Sequence, residues 1–87
     1  MITLTSQALN QIKSDIRNDR RIIGVKITLN LSKGASLAYS LEHVFQRDTW
    51  CDERSVTGIR VFTEPKDVSY LENITIDFVD GRFVFSI

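Results

Sequence analysis

At 87 residues, the chain suits a single domain, long enough to bury roughly two-thirds of its unfolded surface and to fold without disulfide or metal staples. Its 43% hydrophobic and 25% charged content excludes a disordered chain, and 11 basic against 11 acidic residues exclude any general attraction for nucleic acid or anionic lipid. No apolar run approaches the roughly 20 residues of a membrane span, no charged and then apolar leader opens the chain, and a single cysteine, Cys51, cannot close an internal disulfide, so the expected location is the cytoplasm.

Ile2-Thr-Leu reads as a short strand, with Thr5 or Ser6 able to cap the helix that follows by accepting a free first-turn amide. Ala8, Leu9, Ile12 and Ile16 recur at three- and four-residue steps among polar neighbours, which predicts a helix over Ser6–Asn18 with one apolar stripe. Arg17, Arg20 and Arg21 gather at its negative dipole end. They read either as an anion or partner contact or as a solvated helix end, and the second reading is favoured. Ile23, Val25, Ile27, Leu29 and Leu31 then alternate with polar residues and glycine, the pattern of a strand with one wet face. A one-residue slip would expose five side chains, each worth about 1.5–3 kcal/mol when buried.

After a small-residue turn at 32–36, Leu37, Tyr39 and Leu41 alternate as the partner strand, running on toward Phe45. Gln46 to Arg54 is polar and charged around Trp50-Cys51 and reads as a loop. Trp50 is a candidate partner contact; the competing and favoured reading folds it back over the core edge, because tryptophan is usually mostly buried. Thr57-Gly58 suits a two-residue hairpin turn between Val56 and an Ile59–Phe62 strand, and Pro65 ends that strand and opens one or two helical turns. Ile74, Ile76 and Phe78 alternate, Asp80-Gly81 is a second hairpin signal, and Phe83, Phe85 and Ile87 form the return strand.

One stretch carries more than pattern. The run Lys33-Gly34-Ala35-Ser36-Leu37-Ala38-Tyr39 resembles the loop of the HesB/IscA family, the A-type iron–sulfur cluster carriers, whose pattern is approximately Gly-Cys-Ser-Gly-x-x-Tyr followed by a strand. Ile2–Thr5, Gly24–Thr28, Thr57–Phe62, Val68–Leu71, Ile76–Val79 and Phe83–Phe85 follow in the family's order at nearly its spacing, so the similarity spans nearly the whole chain. It implies one HesB/IscA-like domain over residues 1–87, mainly β with one amphipathic helix, folded as a β sandwich or flattened barrel. Several short strands with hairpin turns and one amphipathic helix lead to the same layered fold of six or seven strands, the helix packing through Leu9, Ile12 and Ile16.

The family's ligands are another matter. Its loop cysteine falls on Gly34 when Tyr39 is aligned without a gap and on Ala35 with a one-residue gap, and no counterpart of the family's Cys-Gly-Cys pair occurs within residues 1–87. Cluster carriers need soft thiolates converging on iron. The remaining metal candidates are Cys51 and His43, whose spacing is no recognised ligand motif; a symmetric dimer would offer two copies of Cys51, completed by His43 or Asp52. No Ser/His/Asp order, phosphate-cradling glycine loop or fixed carboxylate pair supports catalysis. The expectation is therefore a non-enzymatic domain without an iron–sulfur cofactor, acting through an unidentified protein partner or a homo-oligomer, with no nucleic acid and no membrane partner. The alternative is a carrier that holds iron or cluster transiently through Cys51. Gly34 is expected to adopt a positive φ in a solvent-exposed turn.

Overall fold

A computed structural model describes residues 1–31, 37–47 and 49–87. In chain order these form β1 (Thr3–Leu4), α1 (Ser6–Asn18), β2 (Gly24–Leu31), β3 (Leu37–Val44), β4 (Asp52–Val56), β5 (Ile59–Thr63), a 3-10 turn (Pro65–Asp67), α2 (Val68–Leu71), β6 (Thr75–Val79) and β7 (Arg82–Ser86). The strands build a four-stranded sheet, β3-β2-β5-β4, and a three-stranded sheet, β1-β6-β7. Antiparallel pairs dominate, but β1–β6 and β2–β5 are parallel, so both sheets are mixed. Leu4 and Ile76 from one sheet, with Ile2 and Ile74 just ahead of its strands, meet Val25, Ile27, Ile59 and Val61 from the other, with Ala8 and Ile12 of α1 and Leu71 of α2 completing the core.

Local chemistry explains the element ends. Thr5 stands in extended conformation at the N-cap and its side chain accepts from the Ala8 amide at 3.2 Å. The same hydroxyl donates to Asp77 Oδ1 of β6 at 2.6 Å, so one residue both starts the helix and pins it to the sheet. The predicted helix limits agree with α1. Ala8 and Ile12 are fully buried, whereas Leu9 and Ile16 pack at the margin of the core.

Both hairpin turns carry positive φ at two successive residues, Thr57 at 51° with Gly58 at 85° and Asp80 at 53° with Gly81 at 79°. This is the backbone that matches right-handed strand twist, and it fixes the β4–β5 and β6–β7 registers. The loop expected over Gln46 to Arg54 is corrected: β4 starts at Asp52 and pairs with β5 from Thr63 downward. A short edge strand bearing Asp52, Glu53 and Arg54 is protected from further pairing by its charges, and those same charges give it the composition of a loop. The prediction for Gly34 falls in 32–36 and lies outside the described residues.

The two faces of the four-stranded sheet differ. Val25, Ile27, Leu29, Val61 and Thr63 lie on the core side; Gly24, Lys26, Phe62 and Glu64 lie on the other. Phe62 is nevertheless 1% exposed. Its ring covers Gly24, where a Cβ would stand 3.1 Å from Phe62 Cε2 and would collide with the Arg60 carbonyl oxygen. Glycine is needed there for the close approach of ring and backbone.

Candidate functional site

The sequence singled out the 32–36 connection with Gly34 and Ala35, together with His43, Trp50 and Cys51. The connection lies outside the described residues; Trp50 and Cys51 adjoin one another, and His43 is placed far from both. His43 sits on β3, one edge of the four-stranded sheet, and Cys51 directly precedes β4, the opposite edge. Three interstrand spacings separate those edges, about 14 Å.

His43 faces the core side opposite Val25, and its Nε2 lies 3.0 Å from Asp15 Oδ2 of α1. The second oxygen of Asp15 accepts from Gln11 Nε2 at 2.8 Å. Beyond the helix end, Asp19 takes both Nε and Nη2 of Arg21, at 3.0 and 2.9 Å, and the Arg21 amide at 3.1 Å. The side-chain hydrogen bond from Arg21, then the backbone one, hold the Asp19 carboxyl below its ordinary value. The Arg21 guanidinium in turn lies 5.7 Å from the centre of the Phe45 ring. Of the basic cluster, Arg21 is thus engaged locally.

At the opposite edge, Trp50, Cys51, Glu64, Pro65 and Lys66 line a shallow depression of about 270 Å³. Cys51 is half-buried. Trp50 is 83% exposed, so the favoured reading that it folds back over the core edge is corrected. Its connection starts and ends on opposite edges of one sheet while the core lies between two sheets, and the indole is left in solvent.

Beside this depression runs a chain of charges that sequence reasoning missed. Glu64 pairs with Lys26 at 3.2 Å and with Lys66 at 3.4 Å, and Lys66 also reaches Asp67 Oδ1 at 2.9 Å. Asp67 is 3% exposed, and its Oδ2 accepts from the Leu29 amide at 3.3 Å. The reason is topological. β5 pairs with β2 only as far as Thr63 opposite Ile27, and the chain turns away at Pro65, so a side-chain carboxylate meets the Leu29 amide where the neighbouring strand has ended. The available signal was Pro65 at a helix start with an acid in its first turn, which announces a cap but not a long-range partner. The hydrogen bond to Asp67 raises the Lys66 ammonium above its ordinary value, with desolvation opposing and the charges of Asp67 and Glu64 adding to the rise.

As a site for iron this arrangement does not fit. A cluster needs several thiolates, and the chain holds one cysteine. Among the described residues no three His, Cys, Asp or Glu side chains converge as metal donors. Among the described residues the buried hydroxyls without a hydrogen-bond partner, those of Thr28, Tyr39 and Thr63, are hard oxygen donors divided between the two faces of the sheet. No helix among the described residues is long and apolar enough to cross a membrane.

Comparison with known proteins matches the family model described as iron-sulphur cluster biosynthesis over residues 1–87. The mitochondrial iron-sulfur cluster assembly 1 homologs of Danio rerio and Homo sapiens are each 30% identical over 89 aligned positions, covering 98% of this chain and 69% of theirs. Among solved structures, Escherichia coli SufA, involved in biosynthesis of iron-sulfur clusters, superposes with TM-score 0.85 at 21% identity, covering 98% of this chain and 78% of its own. IscA with its [2Fe-2S] cluster gives TM-score 0.80 at 16% identity, covering 99% and 84%. The fold, the order of the motifs and the full-length family match agree, and the chain belongs to the iron-sulphur cluster biosynthesis family, the HesB/IscA family that its sequence resembles.

Proposed function

We propose that this domain is a non-catalytic component of iron–sulfur cluster biogenesis that works through protein contacts, and that it does not itself hold the cluster. The observation that carries this reading is the separation of the donors. The single thiol lies at one edge of the four-stranded sheet, and the single histidine lies at the other, already engaged by Asp15. The positions that match the family's loop cysteine carry Gly34 or Ala35. Contact chemistry is supplied by Trp50, which offers a large, rigid, amphipathic surface to a partner or to a second copy of the chain. A single cysteine, which cannot close an internal disulfide, suits a reducing compartment, and the cytoplasm is the proposed location.

A second reading keeps a carrier role, with Cys51 contributing to iron or cluster binding across a dimer or together with a partner's thiols. The half-buried position of Cys51 beside an open depression favours it. Anaerobic incubation with ferrous iron and sulfide, followed by desalting and visible absorption, separates the two. The expected result is a colourless protein. A stoichiometric cluster that disappears in Cys51→Ser overturns the first reading in favour of the second.

A further inference from the structure

α1 and the β4–β5 turn enclose a groove of about 520 Å³ lined by Asn10, Lys13, Ile16, Arg17, Gly58 and Ile59. Asn10, Lys13 and Arg17 stand three and four residues apart and so share one face of the helix. Ile16 and Ile59 belong to the edge of the core and give the groove an apolar floor. Gly58, at φ +85°, has open space around it where a side chain would stand, which leaves the wall on that side low.

The electrostatics of the groove are one-sided. Among the described residues no carboxylate lines it. The acids of α1 and its C-terminal end are committed elsewhere, Asp15 to His43 and Gln11, and Asp19 to Arg21. Among the described residues neither Lys13 nor Arg17 has an ion-pair partner. Arg17 lies in the last helical turn, where the negative dipole end favours a cation. On a chain with no net charge, this cationic strip is local, so it attracts acidic groups at one place without a general affinity for polyanions. The volume is far larger than a single phosphate needs, and an apolar floor gives a bare anion nothing to bury.

We propose that this groove docks an acidic peptide segment of a partner protein, with an aliphatic side chain on Ile16 and Ile59 and flanking carboxylates on Lys13 and Arg17. The proposal rests on the reading of the domain as a protein-contact component, and it supplies the chemistry of one contact. The arrangement separates two tasks. The apolar anchor supplies burial, and the two cations set orientation and the rate of encounter.

The test uses the ¹⁵N-labelled chain and a fluorescein-labelled hexapeptide of glutamate and leucine, with leucine replaced by serine in one control and glutamate by lysine in another. Amide shifts are expected at Lys13, Ile16, Arg17, Gly58 and Ile59, with affinity falling as salt rises. The Lys13→Gln/Arg17→Gln double variant, checked for an unchanged circular dichroism spectrum, should bind about tenfold more weakly or less. Arg82→Gln, on β7 outside the groove, should bind as the parent does. Absence of binding, shifts elsewhere, an unaffected double variant, or equal binding of the serine peptide overturns the proposal. So does retention on phosphatidylglycerol vesicles through Lys13 and Arg17 without peptide binding, which would make the surface a lipid contact. Failure here removes the groove alone, because the absorbance test of cluster binding is decided by Cys51, outside it.

Discussion

The two faces of the four-stranded sheet are both buried in part, but by different means. On the core face Val25, Ile27 and Val61 alternate along their strands and meet apolar residues from the other sheet and from α1. On the opposite face Phe62 is buried as completely, because Gly24 on the adjacent strand leaves room for its ring. Lys26 and Glu64 flank the pair as an ion pair at 3.2 Å. The core face is a product of each strand's own period. The other face exists only through the parallel pairing of β2 with β5, which sets Lys26 beside Phe62 and so Gly24 within reach of its ring.

This difference can be tested from its strongest element downward. If Phe62 is a second, small core, Phe62→Ala should cost about 3–5 kcal/mol in urea unfolding, as much as or more than the about 2–5 expected of Ile27→Ala on the core face. A cost below about 0.5 kcal/mol for Phe62→Ala would make the outer face an ordinary solvated surface. A smaller effect is expected at Asp67, where the sheet relies on a side chain. Asp67→Ala should cost about 1–3 kcal/mol by leaving the Leu29 amide unpaired, and Asp67→Asn should recover much of it by keeping an acceptor. Equal losses in the two variants would show that the ion pair with Lys66 matters and the backbone contact does not.

The smallest effect is a pH dependence. Lys66 has a folded-state pKa raised above its ordinary value of 10.5. Its contribution is therefore fully present below the unfolded-state value and is lost as pH rises through the folded-state one. The urea midpoint should fall on the alkaline side, and Lys66→Met should flatten that limb. The lowered value of Asp19 has the opposite sense: its contribution is present above the ordinary 3.8 and lost as pH falls through the folded-state value. Arg21→Gln should shallow the acid limb.

How much the chain disclosed in advance follows the range of each interaction. The α1 stripe and both hairpin turns depend on neighbours within four residues: Ala8, Ile12, Thr57-Gly58 and Asp80-Gly81 could be read directly, and the cap was narrowed to Thr5 or Ser6. β4 could not, because its charged edge composition makes sense only once β5 is beside it. The role of Asp67 could not be read, because its partner, Leu29, is 38 residues away. Trp50 was misjudged through a general tendency of its residue type, and the exposed indole follows from a path that joins two edges of one sheet. The basic groove was half visible: Arg17 stood out with Arg20 and Arg21, but Gly58 and Ile59 are brought to it only by the fold.

The early departure of β5 has a consequence for motion. Up to Ile27, β2 is hydrogen-bonded on both sides, whereas from Thr28 onward only β3 continues alongside it, with the Asp67 carboxylate as a single anchor at Leu29. A sheet interior thus becomes a two-stranded ribbon within one strand, and ribbons twist more strongly and open at lower free energy than sheet interiors. Deuterium uptake should divide β2 in the middle, slow for the amides of Val25 and Ile27 and faster for Asn30, so the second half of the strand opens while its first half stays closed.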